Sequence, residues 1–187
     1  MGNSALNALI FVINALAQLY ILVLLLRLLM PLLHIPFNNP IAQGILRLTS
    51  PLVLPVRRFL PPLGRLDTAT LVVAYAIQYL TLLVIMLLLG LAPAIVPIAV
   101  TALVDLVILT IRLFVFAIFI RVVLSWLGQS GAYNPAIAFI DTITEPVLRP
   151  FRRLIPPVGG IDLSPLFALI LLMAATILIS GLRLLPY

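Results

Sequence analysis

The chain has 187 residues, 64% of them hydrophobic and 9% charged, with eleven basic residues against five acidic ones and a net charge of +6. An ordinary soluble domain is roughly 45–50% apolar and about 25% charged, so this composition excludes a soluble fold and points to a bilayer. Cysteine is absent and His34 is the single histidine, which excludes a disulfide framework, a thiolate site and a histidine-rich metal centre.

Four apolar segments approach the length of about 20 residues that a helical span needs. They are 5–33, with Arg27 near its end, then 68–91, 98–127 and 163–182. The third exceeds a core of about 30 Å and is expected to tilt or protrude. The turn at 92–97 (APAIVP) separates the second from the third. The first run lacks the basic start of a secretory signal and is expected to be retained as a span. Met-Gly-Asn-Ser resembles a myristoylation start only loosely, because Leu6 stands where Ser or Thr is required.

Two intervening segments, 39–66 and 134–162, carry a different pattern. Asn39-Pro40 and Asn134-Pro135 each offer a capping side chain followed by proline at the first helical position. A short helix is expected after each, as far as Thr49-Ser50 and Thr144-Glu145, with Pro51 and Pro146 breaking or restarting it. In the first copy Ile41, Ile45, Leu48 and Leu52 share one side, which suits a helix lying in the interface with that side toward acyl chains. Asp67, and Ser164-Pro165 in the second copy, are the expected caps of the following spans.

The segments 51–67 (PLVLPVRRFLPPLGRLD) and 146–162 (PVLRPFRRLIPPVGGID) share the frame P-x3-P-x-R-R-x2-P-P-x-G-x2-D. The common residues are Pro51/Pro146, Pro55/Pro150, Arg57/Arg152, Arg58/Arg153, Pro61/Pro156, Pro62/Pro157, Gly64/Gly159 and Asp67/Asp162. Such a frame defines an internal repeat. The expected repeats are 1–92 and 98–187, each a span, an interfacial proline-arginine segment and a second span. An even number of spans per repeat makes the copies parallel, related by an axis along the membrane normal. The expected fold is therefore an all-α integral membrane protein of four transmembrane helices in two parallel tandem repeats. Nine of the eleven arginines fall on the motif side, Arg183 on the other, and Arg112 within a span. The positive-inside rule then puts the motifs in the cytoplasm and both termini outside.

All eleven basic residues are arginine. A planar guanidinium suits phosphate, although an arginine-favouring codon usage has the same effect on composition. The pairs Arg57-Arg58 and Arg152-Arg153 suit anionic lipid headgroups, an acidic partner protein, or a topology signal with no ligand. The arginines lie between apolar runs, so direct nucleic-acid binding is not expected. Asp105 and Arg112 sit seven residues apart on one face of the third span, about 10.5 Å along the axis. Aligning Arg27 with Arg121 sets Gln18 opposite Arg112. A buried polar cluster of Asn14, Gln18, Asp105 and Arg112 between the first and third spans is expected, either as helix–helix glue or as an ion or proton path. Gln78 is expected to bond to a neighbouring helix. Ser125-Trp126 reads as an interfacial anchor. No nucleophile–base set, paired-carboxylate site, metal spacing or phosphate loop is present, so neither enzymatic activity nor a cofactor is expected.

The duplicated motif, with Arg27-Leu28-Leu29 and the segment 121–126 (RVVLSW) before it, resembles the YggT family of small bacterial membrane proteins, which has relatives in cyanobacteria and chloroplasts. The first copy departs from the second at Arg65, which replaces Gly160, and at Met30-Pro31, near the place of Ser125-Trp126. The resemblance implies a multi-pass protein of the bacterial cytoplasmic membrane with no catalytic residues. It also implies a non-enzymatic factor linked to cofactor assembly on membrane cytochromes, nucleoid or division organisation in plastids, or osmotic tolerance. The expected partners are membrane lipids and other integral membrane proteins. A channel or carrier component is the alternative.

Overall fold

A computed structural model describes residues 2–126, 134–155 and 162–185. Among these, the chain forms six helices: α1 (Gly2–Leu32), α2 (Pro40–Arg57), α3 (Thr68–Leu88), α4 (Ile95–Trp126), α5 (Pro135–Leu154) and α6 (Ser164–Ser180). Helices α1, α3 and α4 are long and apolar enough to cross a membrane, while α6 is a shorter apolar helix of 17 residues. The chain is thus an all-helical membrane protein. At 1.5 Å per residue α4 is about 48 Å long and α6 about 25 Å.

Local chemistry sets the ends of these helices. α1 stops in a turn where His34 takes φ 57° and the Ile35 N–H donates to the Met30 carbonyl at 3.0 Å. This is a Schellman closure in which histidine occupies the left-handed position that usually goes to glycine, with buried Ile35 as its apolar contact. α3 ends the same way with Gly90 at φ 70° and Leu91 donating to Met86 at 3.0 Å. Pro97 lies in the first turn of α4, where a missing N–H costs nothing.

Asn39 and Asn134 cap α2 and α5, each accepting the N–H two residues on at 2.9 Å. The expected break at Pro51 and Pro146 is absent. α2 runs through Pro51 and Pro55, and α5 through Pro146 and Pro150. Hydroxyl groups occupy the turn before the prolines. Thr49 and Ser50 donate to the Ile45 and Leu46 carbonyls at 2.6 Å, and Thr142 and Thr144 donate to Ala138 and Ile140 at 2.7 and 2.8 Å. Such back-bonds favour bending of a helix; they do not reach the Arg47 and Thr142 carbonyls, whose helical donors Pro51 and Pro146 remove. Packing also differs from the sequence expectation. α2 buries Ala42, Ile45, Thr49 and Val53, so Ile45 turns inward while Leu48 and Leu52 stay exposed.

In each half the first long helix packs on the last, and the intervening amphipathic helix lies against both: α2 on α1 and α3, α5 on α4 and α6. The halves meet through α3–α4, α1–α4 and α2–α5 contacts. The Asn39 amide spans the last of these, donating to the Pro135 carbonyl at 2.9 Å. The main core lies between α1, α3 and α4, around Ile21, Leu24, Leu28 and Leu109.

Candidate functional site

The shared motif residues assemble into one ionic clamp per half. In the first, Arg27 of α1 donates to Thr49 at 2.8 Å and Ser50 at 3.3 Å, and lies 3.6 Å from Asp67. Asp67 also pairs with Arg57 and caps α3, accepting from the Thr70 hydroxyl at 2.8 Å and its N–H at 3.3 Å. One carboxylate thus ties the first long helix, the amphipathic helix and the start of the next long helix together. Gly64 closes the hairpin turn between α2 and α3 at φ 61°, where Leu63 and Leu66 exchange backbone bonds at 3.1 Å. Pro61 accepts from the Thr68 hydroxyl at 2.8 Å, and exposed Pro62 follows it.

The second half repeats the arrangement with extra charges. Arg121 donates to Thr144 at 2.8 Å and pairs with Asp141 at 2.9 Å and Glu145 at 3.2 Å. Arg152 bridges Glu145 and Asp162, both at 2.9 Å. Asp162 accepts the Ser164 N–H at 2.9 Å. The N-cap position of α6 is Leu163, which offers no capping side chain, so Asp162 one residue earlier serves the first helical N–H, and Ser164 is not a cap but the first residue of that helix. Burial alone would raise the Asp162 pKa, but donors from Ser164 and the Arg152 guanidinium hold it below its usual 3.8. Burial likewise lowers Arg152, and its bonds to Asp162 and Glu145 outweigh that and raise it. Pro156, Pro157 and Gly159 lie outside the described residues.

The two clamps differ in wetness. The Arg27 and Asp67 side chains are 4% and 6% exposed, whereas Arg152 and Asp162 are 36% and 41% exposed. The first is a dry lock that only Arg57 opens toward solvent, and the second a half-solvated network.

The Arg pairs therefore divide. Arg57 and Arg152 are committed inward, while Arg58 and Arg153 are exposed and form no ion pair among the described residues. Every acidic residue of the chain is engaged by arginine: Asp67, Asp105, Asp141, Glu145 and Asp162. Of eleven arginines, five (27, 57, 121, 152 and 183) make these pairs. The other six account for the net charge of +6. Arg47, Arg58, Arg65, Arg149 and Arg153 are exposed on the amphipathic helices and their exits. Arg112 is the sixth, within α4.

Asp105 bonds to Gln78 at 2.9 Å and to Arg183 at 2.7 Å, not to Arg112. The carboxylate therefore joins α4 to α3 and to the segment after α6. Asn14 and Gln18 bond to each other at 3.1 Å along α1. All four residues of the expected cluster nonetheless line one polar cavity of about 370 Å³, with Asn7, Gln78 and Arg183. The sequence signal for Arg183 was its isolation as the one arginine beyond the last apolar run, which demanded a counter-charge at the same depth. Asp141 and Glu145 carried a weaker signal, since Leu46 and Ser50 hold their places in the first copy.

Three helices long and apolar enough to cross a membrane, amphipathic proline-bearing helices between them and an arginine-to-aspartate clamp in each half define a class of small helical membrane proteins. The CCB3/YggT family model matches the chain twice, at residues 6–88 and 100–183, and the chain belongs to this family. It is 38% identical over 168 residues to an uncharacterised protein of Pseudomonas aeruginosa, covering 89% of this chain and 85% of that one. It is 34% identical over 167 residues to the uncharacterised YggT of Escherichia coli K12, covering 89% and 86%. The ycf19 protein of Guillardia theta, also uncharacterised, is 32% identical over 74 residues, 40% of this chain and 81% of its own length, so it has the size of one half. No solved structure matches the chain.

Proposed function

We propose that the protein is a non-enzymatic, four-span protein of the bacterial inner membrane that assembles or organises other integral membrane proteins. In this reading α6 is the fourth span, its 17 residues lying at the short end of the spanning range of about 17–25. The two halves are parallel repeats, with the amphipathic helices at the cytoplasmic surface and both termini outside. The observation that carries the reading is the distribution of charge. Every carboxylate is committed to a clamp or a helix-to-helix bond. Five of the six remaining arginines stand exposed on the amphipathic helices and their exits, which this reading puts on one cytoplasmic face as the positive-inside rule asks. That face holds anionic lipid, each arginine near an anionic leaflet contributing about 1 kcal/mol. Long apolar helices with large exposed side chains, among them Phe11, Leu16 and Ile177, then offer the remaining surface to other membrane helices.

Affinity purification of the tagged protein from its own membrane in mild detergent tests this. The expected result is another membrane protein or complex in fixed proportion. Recovery of only a homo-oligomer with bound lipid would sink the assembly reading. The polar cavity containing Asp105 and Arg183 favours a second reading, a channel or carrier component. Ion or osmolyte flux in proteoliposomes that Asp105→Asn abolishes would select it.

A further inference from the structure

The polar cavity does not end at Arg112. Gln18, Leu109 and Arg112 also form one end of a second hollow of about 470 Å³, a cleft between α1, α4 and α5. Its walls are apolar: Leu22 and Leu26 of α1, Leu113 and Phe116 of α4, and Phe139 and Ile143 of α5. One arginine thus stands where a polar chamber meets a hydrocarbon-lined one. Arg112 is exposed and has no hydrogen bond or ion pair among the described residues. The chain has no uncommitted carboxylate to give it. A cation at this depth needs an anion or a polar cavity beside it. Arg112 lines both the polar chamber and the cleft.

We infer that the joined cavities bind one anionic single-chain amphiphile of the long-chain carboxylate class. Its head is held by Arg112 beside the Asn14 and Gln18 amides, and its hydrocarbon tail fills the cleft toward α5. Charge selects this occupant over an apolar partner helix: hydrocarbon walls end at an arginine that has no ion pair among the described residues, which suits an apolar chain ending in an anion. The fit agrees with ligand pockets generally, which are mostly apolar with a few polar groups fixing the head.

The test uses the full chain in phosphatidylcholine nanodiscs, with radiolabelled palmitate as probe and hexadecanol as the neutral control. Saturable binding of one palmitate per protein above that of empty discs is expected. It should weaken about tenfold in Arg112→Gln, recover in part in Arg112→Lys, and stay unchanged in Arg58→Gln/Arg153→Gln. Hexadecanol should bind alike to the wild type and Arg112→Gln. Palmitate binding that ignores Arg112→Gln would overturn the proposal, as would hexadecanol binding as tightly as palmitate. Displacement of palmitate by phosphatidylglycerol in the disc would assign the cleft to a diacyl lipid and overturn it too.

Discussion

Removing the charge of Asp67 should destabilise the protein far more than removing that of Asp162, although the two occupy the same motif position. Asp67→Asn keeps the size of the side chain and a capping oxygen for α3. It leaves Arg27, 4% exposed, with the Thr49 and Ser50 hydroxyls and no counter-ion. Stranding one partner of a buried ion pair costs about 3–5 kcal/mol. Asp162→Asn removes partners that are 36% and 41% exposed, and Arg152 keeps Glu145 at 2.9 Å. Solvent-screened pairs of this kind are worth about 0–1 kcal/mol. The two variants should therefore differ by at least about 2 kcal/mol on these figures. Reversible unfolding in mixed micelles, followed by circular dichroism as denaturing detergent is added, measures the difference. Adding Arg27→Met to Asp67→Asn should restore much of the loss, because the stranded charge is gone. Equal costs for the two single substitutions, or no rescue by Arg27→Met, would refute the dry-lock reading of the first clamp.

His34→Gly should stabilise the protein by about 0.5–1 kcal/mol, since the left-handed position strains histidine more than glycine's extra chain entropy offsets; the same unfolding titration reads it. Gly64→Ala should cost about 1–2 kcal/mol, because the hairpin turn holds it at φ 61° while nothing crowds the added methyl. The Asp162 pKa is lowered in the folded state, so its contribution is complete at neutral pH and is lost as pH falls below 3.8 toward the folded value. The stability gap between wild type and Asp162→Asn should therefore hold from neutral pH down to 3.8 and narrow as pH falls further, and a gap that narrows above 3.8 or widens below it would contradict the sign. Charge removal at Arg47, Arg58, Arg149 and Arg153 together should lower the protein's selectivity for phosphatidylglycerol over phosphatidylcholine in mixed-lipid nanodiscs by about 1 kcal/mol per arginine, with Arg57→Gln affecting stability instead.

Much of the architecture was legible because hydropathy and proline chemistry act locally. Asn-Pro pairs mark two helix starts, and apolar runs mark the long helices to within a few residues. The continuity of α2 and α5 was not legible from proline alone. α2 and α5 are held on both sides by the apolar helices of their halves, and that packing is not written in the local sequence. The duplicated frame marked Arg57 and Asp67 as a pair of interest without saying that they face each other. Ten residues and a glycine turn separate them, so their meeting is a property of the hairpin. The polar residues of the long helices were found by type, and their partners were not. Asp105 and Arg112 share a helix face, yet Gln78 and Arg183 arrive from other helices and take the carboxylate first.

The central claim is that α6 crosses the membrane, so that both clamps and the free arginines share one cytoplasmic face. The chain has no cysteine, so single cysteines can be introduced on a clean background. The positions are exposed Phe59 and Leu154 beside the clamps, and exposed Ile95 and Leu182 at the opposite ends. A membrane-impermeant maleimide should label positions 95 and 182 in spheroplasts, and positions 59 and 154 only in inverted vesicles. Labelling of 154 and 182 from the same side would mean that α6 does not cross, and would contradict the account.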